Sequence, residues 1–303
     1  MNNLVALEPK KFDSYITAIE ESGGVVAELG KEVEALVWTD YSQPELLAKI
    51  LSDNPQLRWV QLPFAGVDAF AEVIRRFHVR FTSAKGAFSE PVAEHALALA
   101  LALGRAIPER SRAQTWGKKF AVSLFDSQVL IIGAGGITEK LLEMLEPFRA
   151  DVTILRNRPE LSSGAKTIAS ADLLSALPGK DFIFINCALT DETRGMFGQA
   201  AFEQMDSTAF LVNVARGAVV NTQDLVAALS DKQFAGYATD VTDPEPLPDE
   251  HPLWALENVL ITPHSADTKQ MVMPLFSKRL AENVSAFLGK GEFVGVVDPL
   301  LGY

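Results

Sequence analysis

Gln128-Val-Leu-Ile-Ile-Gly133-Ala-Gly135-Gly136-Ile137-Thr138 runs from an apolar, β-branched segment through three glycines straight into a helix-like segment, Glu139 to Leu145. A strand that turns directly into a helix has a specific use. Gly133 can take the tight turn, and Gly135 lets backbone N–H groups come close to a bound group. The helix start at Gly136 and Ile137 favours negative charge, so the stretch predicts a cradle for the pyrophosphate of a dinucleotide. A Gly-x-Gly alone is weak, because glycines also serve ordinary turns; the strand before it and the helix after it carry the reading. Thr138 departs from the pattern by standing where a third glycine usually allows helix and strand to pack closely. A small helix displacement and a hydroxyl contact both fit a threonine there.

Outward from this stretch the same rhythm repeats. Gln128 to Ile132, Asp151 to Leu155, Asp181 to Asn186, Ala209 to Val214, Ala235 to Thr239 and Val259 to Thr262 read as six strands separated by helix-like segments, the content of a doubly wound dinucleotide-binding sheet. Towards the N-terminus a second βα series runs through Leu4 to Leu7, Val25 to Leu29, Ala35 to Trp38, Arg58 to Leu62 and Val79 to Thr82, which predicts another parallel sheet. Between the two, Pro91 to Gly104 reads as a long alanine-rich helix with Ser89 or Glu90 near its cap. A helical stretch from about Asp267 to Leu288 would return the chain to the first layer. The expectation is a substrate-binding domain of residues 1-92 and 270-303 and a dinucleotide-binding domain of residues 93-269, with the active site in the cleft between them. In such sheets ligands lie outside the carboxyl ends of the strands.

Composition narrows the function. The 303 residues are 48% hydrophobic, enough to fill two cores, and the formal net charge of −12 opposes a nucleic-acid surface or an anionic membrane. The longest purely apolar run, Ala96 to Leu103, is far below the roughly 20 residues of a membrane span. It is read as core or interface. The N-terminal residues have no basic region ahead of an apolar stretch, so the expected address is cytoplasmic. Cys187 is the single cysteine and no His or Cys cluster has metal-ligand spacing, so no metal is expected.

Three downstream segments carry the chemistry: Phe210-Leu-Val-Asn-Val-Ala215-Arg216-Gly217, then Ala238-Thr-Asp240-Val241 running into Pro244-Glu245-Pro246, then Val259-Leu-Ile-Thr-Pro-His264. With the glycine loop they resemble, in order and approximate spacing, signatures of the D-isomer-specific 2-hydroxyacid dehydrogenase family. The resemblance spans most of the chain and implies a Rossmann-type doubly wound sheet plus a smaller flavodoxin-like α/β substrate domain. It also implies the roles. His264 is the general acid in reduction and base in oxidation, a task suited to a group that titrates near neutrality. Glu245 orients the imidazole and favours its protonated form; the family's formate dehydrogenases carry glutamine there, so Glu245 argues against that reaction. Arg216, after Ala215, clamps the substrate carboxylate and polarises the carbonyl. Asp240 resembles the family aspartate that accepts from the nicotinamide carboxamide, the alternative being a carboxylate that caps its own loop. Leu62-Pro-Phe-Ala65-Gly66-Val67-Asp68 resembles the substrate loop, with the N–H groups of Ala65, Gly66 and Val67 on the carboxylate and Phe64 either lining the pocket or packing beneath.

No carboxylate stands at the end of the second strand, where an NAD-preferring member holds the ribose; Arg156, Asn157 and Arg158 stand there instead. Guanidinium groups suit a 2′-phosphate, so NADP(H) is the preferred cofactor expected, with NAD(H) as the alternative. The cationic loop also resembles that of glyoxylate and hydroxypyruvate reductases. The expected activity is therefore reduction of a small 2-oxo acid by a homodimer. The alternatives are a phosphoglycerate or D-lactate-type dehydrogenase, and a dinucleotide-sensing protein like the family's corepressors. His78, His95 and Cys187 are read as packing residues, and His251 as part of a loop, Glu250 to Trp254, that could cover the site.

Overall fold

Short apolar runs with no alternation make strands buried on both faces, the condition of a parallel sheet covered by helices. The computed structural model describes residues 3–157 and 165–299, and the chain divides into two units, Met1–Phe88 with Asp267–Tyr303, and Ser89–Ala266. These crossings lie a few residues from those read in the sequence, and the long helix begins at Ser89 rather than Pro91.

The first unit contains β1 (Leu4–Glu8), α1 (Asp13–Glu21), β2 (Val25–Val26), β3 (Ala35–Trp38), α2 (Pro44–Asp53), β4 (Trp59–Gln61), α3 (Ala71–Arg76) and β5 (Arg80–Thr82). Its sheet is parallel in the order β2-β1-β3-β4-β5, the flavodoxin-like arrangement. The second strand is shorter than Val25 to Leu29, since only Val25 and Val26 pair with β1.

The second unit contains α4 (Ser89–Gly104), α5 (Ile107–Arg112), β6 (Gln128–Ile132), α6 (Gly136–Leu145), β7 (Asp151–Arg156), β8 (Lys166–Ala169), α7 (Leu173–Ala176), β9 (Phe182–Ile185), α8 (Gln199–Phe202), β10 (Phe210–Asn213), α9 (Thr222–Ser230), β11 (Gly236–Thr239) and β12 (Val259–Ile261). The order β12-β11-β10-β9-β6-β7-β8 reverses between β6 and β9, as in a doubly wound sheet. It has seven strands rather than six. Alternation along β6 feeds two cores: Leu130 and Ile132 pack with Ile183, Leu211 and Leu225, whereas Val129 and Ile131 pack with Phe184, Val212 and Leu141. Helix α4 belongs to the second of these, burying Ala93, Ala96, Leu99, Ala100 and Leu103 at helical spacing.

The chain returns through α10 (Lys269–Phe287) to the first unit, where Phe276 meets Tyr15 edge-on at 5.1 Å and Leu280 and Val284 are fully buried. Among the described residues no helix is long and apolar enough to cross a membrane.

Candidate active site

Parallel pairing in register aligns Ile132 with Ile185, Ile185 with Asn213, and Thr239 with Ile261. The loops after β6, β9, β10, β11 and β12 therefore leave the sheet along one edge.

At the first of them Gly133 has φ +103°, and a Cβ there would lie 2.8 Å from the backbone N and Cα of Cys187. Only glycine fits. A Cβ on Gly135 would meet nothing within 4 Å, so the space beside it is open. Gly135 caps α6, and the N–H groups of Gly136 and Ile137 fall among those a helix start leaves without intrahelical acceptors. Open space and unpaired donors at a helix N-terminus fit a dinucleotide pyrophosphate. Thr138 is accommodated by hydrogen bonding: its buried hydroxyl donates to the Gly133 carbonyl at 2.9 Å and accepts from Asn186 Nδ2 at 3.3 Å. The hydroxyl thus ties helix, loop and the end of β9 together. Cys187, whose backbone abuts Gly133, has its thiol pushed up to about 11 by burial, which leaves it protonated near neutrality.

Strand β7 ends in Arg156, opposite Ala169, with exposed Asn157 following. Arg158 lies outside the described residues.

The Arg216 loop is built on Asn213, a fully buried side chain that accepts from the Ala215 N–H and donates to the Arg216 carbonyl, both at 3.0 Å. Gly217 then passes so close to the next loop that a Cβ would sit 2.0 Å from the Thr242 carbonyl carbon. Arg216 is half-buried and its Nη1 donates to the Ala215 carbonyl at 2.8 Å.

Glu245 is reached through Thr242, whose hydroxyl donates to the Pro244 carbonyl at 2.8 Å and whose N–H donates to Glu245 Oε2 at 3.3 Å. The other carboxylate oxygen, Oε1, lies 2.7 Å from His264 Nδ1, and both side chains stay partly exposed, 42% and 46%. Among the described residues nothing pairs with Nε2, which leaves it as the ring nitrogen able to exchange a proton with a ligand.

His264 has φ +50°, unusual for a side chain of its size. Asp240 accounts for the turn. It is 2% exposed. Its Oδ1 accepts from the Thr262 hydroxyl at 2.5 Å and the Ser265 N–H at 2.9 Å, and its Oδ2 from the Ala266 N–H at 2.9 Å. The His264 N–H donates to the Asp240 and Thr262 carbonyls at 2.9 and 3.0 Å. Of the two readings of Asp240, these contacts are those of a loop-capping carboxylate, with one acceptor position remaining on Oδ2. Burial opposes its charge, but the bonds from His95, Thr262, Ser265 and Ala266 outweigh it and hold the carboxyl below its ordinary 3.8.

Sequence reasoning missed two contributors. His95, read as a packing residue of the apolar helix, has Nε2 2.9 Å from the Thr262 hydroxyl and 3.4 Å from Asp240 Oδ1. Asn213, buried at a strand end, lies inside the signature of residues 210–217, which assigns it no role. Neither could be found by periodicity. His251 Nδ1 accepts from the Leu253 N–H at 3.3 Å and caps the short Pro252–Ala255 turn.

In the first unit, considered separately, the loop after β4 is held at both ends: the Leu62 N–H donates to Thr82 at 2.7 Å and the Ala84 N–H to Phe64 at 3.0 Å. Among the described residues the N–H groups of Ala65, Gly66 and Val67 find no acceptor in the chain. Phe64, 37% exposed, stands edge-on to Tyr41 at 5.7 Å and to Phe88 at 6.2 Å.

Residues 96–266 match the family model described as D-isomer specific 2-hydroxyacid dehydrogenase, NAD binding domain. The chain is 32% identical to the glyoxylate reductase/hydroxypyruvate reductase of Mus musculus, covering 78% of this chain and 75% of that one. It is 31% identical to a glyoxylate reductase of Aeropyrum pernix over 86% and 88% of the two chains. Among solved structures, a D-isomer specific 2-hydroxyacid dehydrogenase from Xanthobacter autotrophicus Py2, in complex with NADPH and MES, aligns over 100% of both chains with a TM-score of 0.86 at 25% identity. Fold, glycine loop and sequence relatives agree: the chain belongs to the D-isomer-specific 2-hydroxyacid dehydrogenase family, and it is an NAD(P)-dependent 2-hydroxyacid dehydrogenase.

Proposed function

We propose that the protein reduces a small 2-oxo acid of the glyoxylate or hydroxypyruvate type to the D-2-hydroxy acid, with NADPH preferred over NADH. The observation that carries the reading is the 2.7 Å pair of Glu245 and His264 on the same sheet edge as the Arg216 loop.

The dinucleotide, when bound, supplies the hydride. Gly133, Gly135, Gly136 and Ile137 would hold its pyrophosphate, and Ala215 and Asp240 would hold its nicotinamide end. His264, with Nδ1 donating to Glu245, delivers the Nε2 proton to the carbonyl oxygen as negative charge develops there. Arg216 holds the substrate carboxylate and polarises the carbonyl with a planar pair of donors. Within the first unit, the N–H groups of Ala65, Gly66 and Val67, which find no acceptor among the described residues, are proposed as carboxylate donors. Arg156, Asn157 and Arg158 would hold the 2′-phosphate; the absence of an acid at the end of β7 and the NADPH bound by the Xanthobacter relative support this. A homodimer is also proposed: the segment after α4 exposes Ile107, Trp116 and Phe120, and Trp116 is 92% exposed.

Initial rates of NADPH and NADH oxidation with glyoxylate, hydroxypyruvate, pyruvate and phenylpyruvate, in the wild type and His264→Ala, test the reading. Turnover should favour NADPH and the first two acids, and fall by about 100-fold or more in the variant while cofactor binding persists. Cofactor binding without turnover of any acid would remove it.

A further inference from the structure

The His264 turn is held from a direction that the catalytic motifs do not include. Helix α4 and the loop after β12 are far apart in sequence, yet His95 Nε2 reaches the Thr262 hydroxyl at 2.9 Å across 167 residues. Thr262 has one hydroxyl hydrogen and two acceptors in reach, Asp240 Oδ1 at 2.5 Å and the Thr239 carbonyl at 3.4 Å. The shorter contact takes the hydrogen. The Thr262 oxygen then accepts from His95, so Nε2 carries a proton and stands 3.4 Å from Asp240 Oδ1, within ion-pair reach. Among the described residues His95 is the one basic side chain in ion-pair reach of this carboxylate.

Asp240 in turn holds the Ser265 and Ala266 N–H groups, and His264 between them and Thr262 is kept at φ +50°. A left-handed conformation is unfavourable for a residue with a side chain, so it persists only where surrounding bonds impose it. A buried carboxylate is costly unless compensated.

We propose that His95 is a positioning residue: by donating to the Thr262 hydroxyl, which itself donates to Asp240, and by standing within ion-pair reach of Asp240, it fixes the carboxylate around which the turn of His264 is wound. The inference rests on the role given to His264 above and adds a residue outside that machinery. His95 transfers no proton to substrate; its part is to keep the His264 ring where Glu245 and a bound carbonyl can both reach it.

Three variants test this. His95→Leu removes the donor while keeping much of the volume, His95→Gln keeps a side-chain N–H near the place of Nε2, and Thr262→Val removes the hydroxyl that joins His95 to Asp240, together with that hydroxyl's own bond to the carboxylate, without touching the helix. Each is assayed for kcat and KM, and by hydrogen exchange of the Ser265 and Ala266 amides in the protein without substrate. His95→Leu and Thr262→Val should lose on the order of 100-fold in kcat, as expected for a displacement near 1 Å, with both KM values little changed. Amide exchange in the turn should speed up in the same two variants. His95→Gln should keep kcat within about threefold and keep the protection, on the same geometric argument. Unchanged kcat and protection in His95→Leu would overturn the proposal. So would equal losses in His95→Leu and His95→Gln, which would make the role one of packing. A wild type that turns over no 2-oxo acid would instead count against the proposed function, and the exchange measurement would still judge His95.

Discussion

Asp240→Asn keeps the shape of the side chain that winds the His264 turn and removes its charge. The amide must place one NH2 group where a carboxylate oxygen now accepts. The less costly orientation leaves the carbonyl oxygen at Oδ1, where Thr262, Ser265 and His95 converge, and turns the nitrogen towards the Ala266 N–H, now 2.9 Å from Oδ2. One bond to a charged acceptor is then lost, about 1.5–3 kcal/mol, and the remaining ones fall to neutral strength, about 1 kcal/mol more. A loss of roughly 2.5–4 kcal/mol at neutral pH is a large share of the 5–15 kcal/mol typical of a folded domain. The pH dependence has a definite sign. Because hydrogen bonding holds the folded carboxyl below 3.8 despite its burial, its contribution is complete above the unfolded value and fades as pH falls through the folded one. Urea unfolding of the two proteins at a series of pH values should give a constant gap near neutrality that narrows only in acid below the ordinary carboxylate range. A variant within about 1 kcal/mol of wild type at pH 7, less than one such bond, or a gap that widens in acid, would refute the assignment of the carboxylate as the hub.

Two further substitutions bear on other parts of the site. Gly217→Ala would place a Cβ 2.0 Å from the Thr242 carbonyl carbon, where ordinary contact begins at 3.4 Å, so the Arg216 and Glu245 loops must part by more than an ångström; kcat should fall about 100-fold, and steady-state kinetics beside dinucleotide titration should find binding largely intact. Arg156→Glu puts an acid at the end of β7, where the 2′-phosphate is proposed to lie, and kcat/KM with NADPH should drop on the order of 10- to 100-fold, the worth of one charge-assisted bond, with NADH affected much less. Equal losses with both cofactors would exclude a 2′-phosphate contact for Arg156.

The parts of this molecule that were legible in sequence are those that burial repeats locally. The runs Val129 to Ile132, Phe182 to Ile185 and Phe210 to Val212 are apolar without interruption because both faces of each strand are covered, and such runs need no distant information to be recognised. The seventh strand lacked that signature: Lys166–Ala169 is exposed or half-buried throughout and pairs on one side only, with β7, so its composition resembles a loop. Gly133 was legible for a local reason too, since a strand that turns into a helix needs a residue free to take φ +103°.

The polar architecture obeys no such repeat. Glu245 and His264 could be paired beforehand only because their flanking prolines and strands resemble a family, not because a separation of nineteen positions predicts a 2.7 Å contact. His95 shows the limit more sharply. On α4 it sits in an alanine-rich run whose burial is dictated by the core, and every local cue makes it a packing residue. Its polar partner is set by the register of β11 with β12, which brings Asp240 and Thr262 to one sheet edge, and by the crossing of α4 over β10 and β11. A hydrogen bond across 167 residues arises from topology once the cores are formed. The apolar pattern therefore builds the frame first, and the groups it leaves facing one another acquire their chemistry from that frame. This is why residues that position a catalytic side chain are found in the structure even when the catalytic side chain itself can be named from sequence.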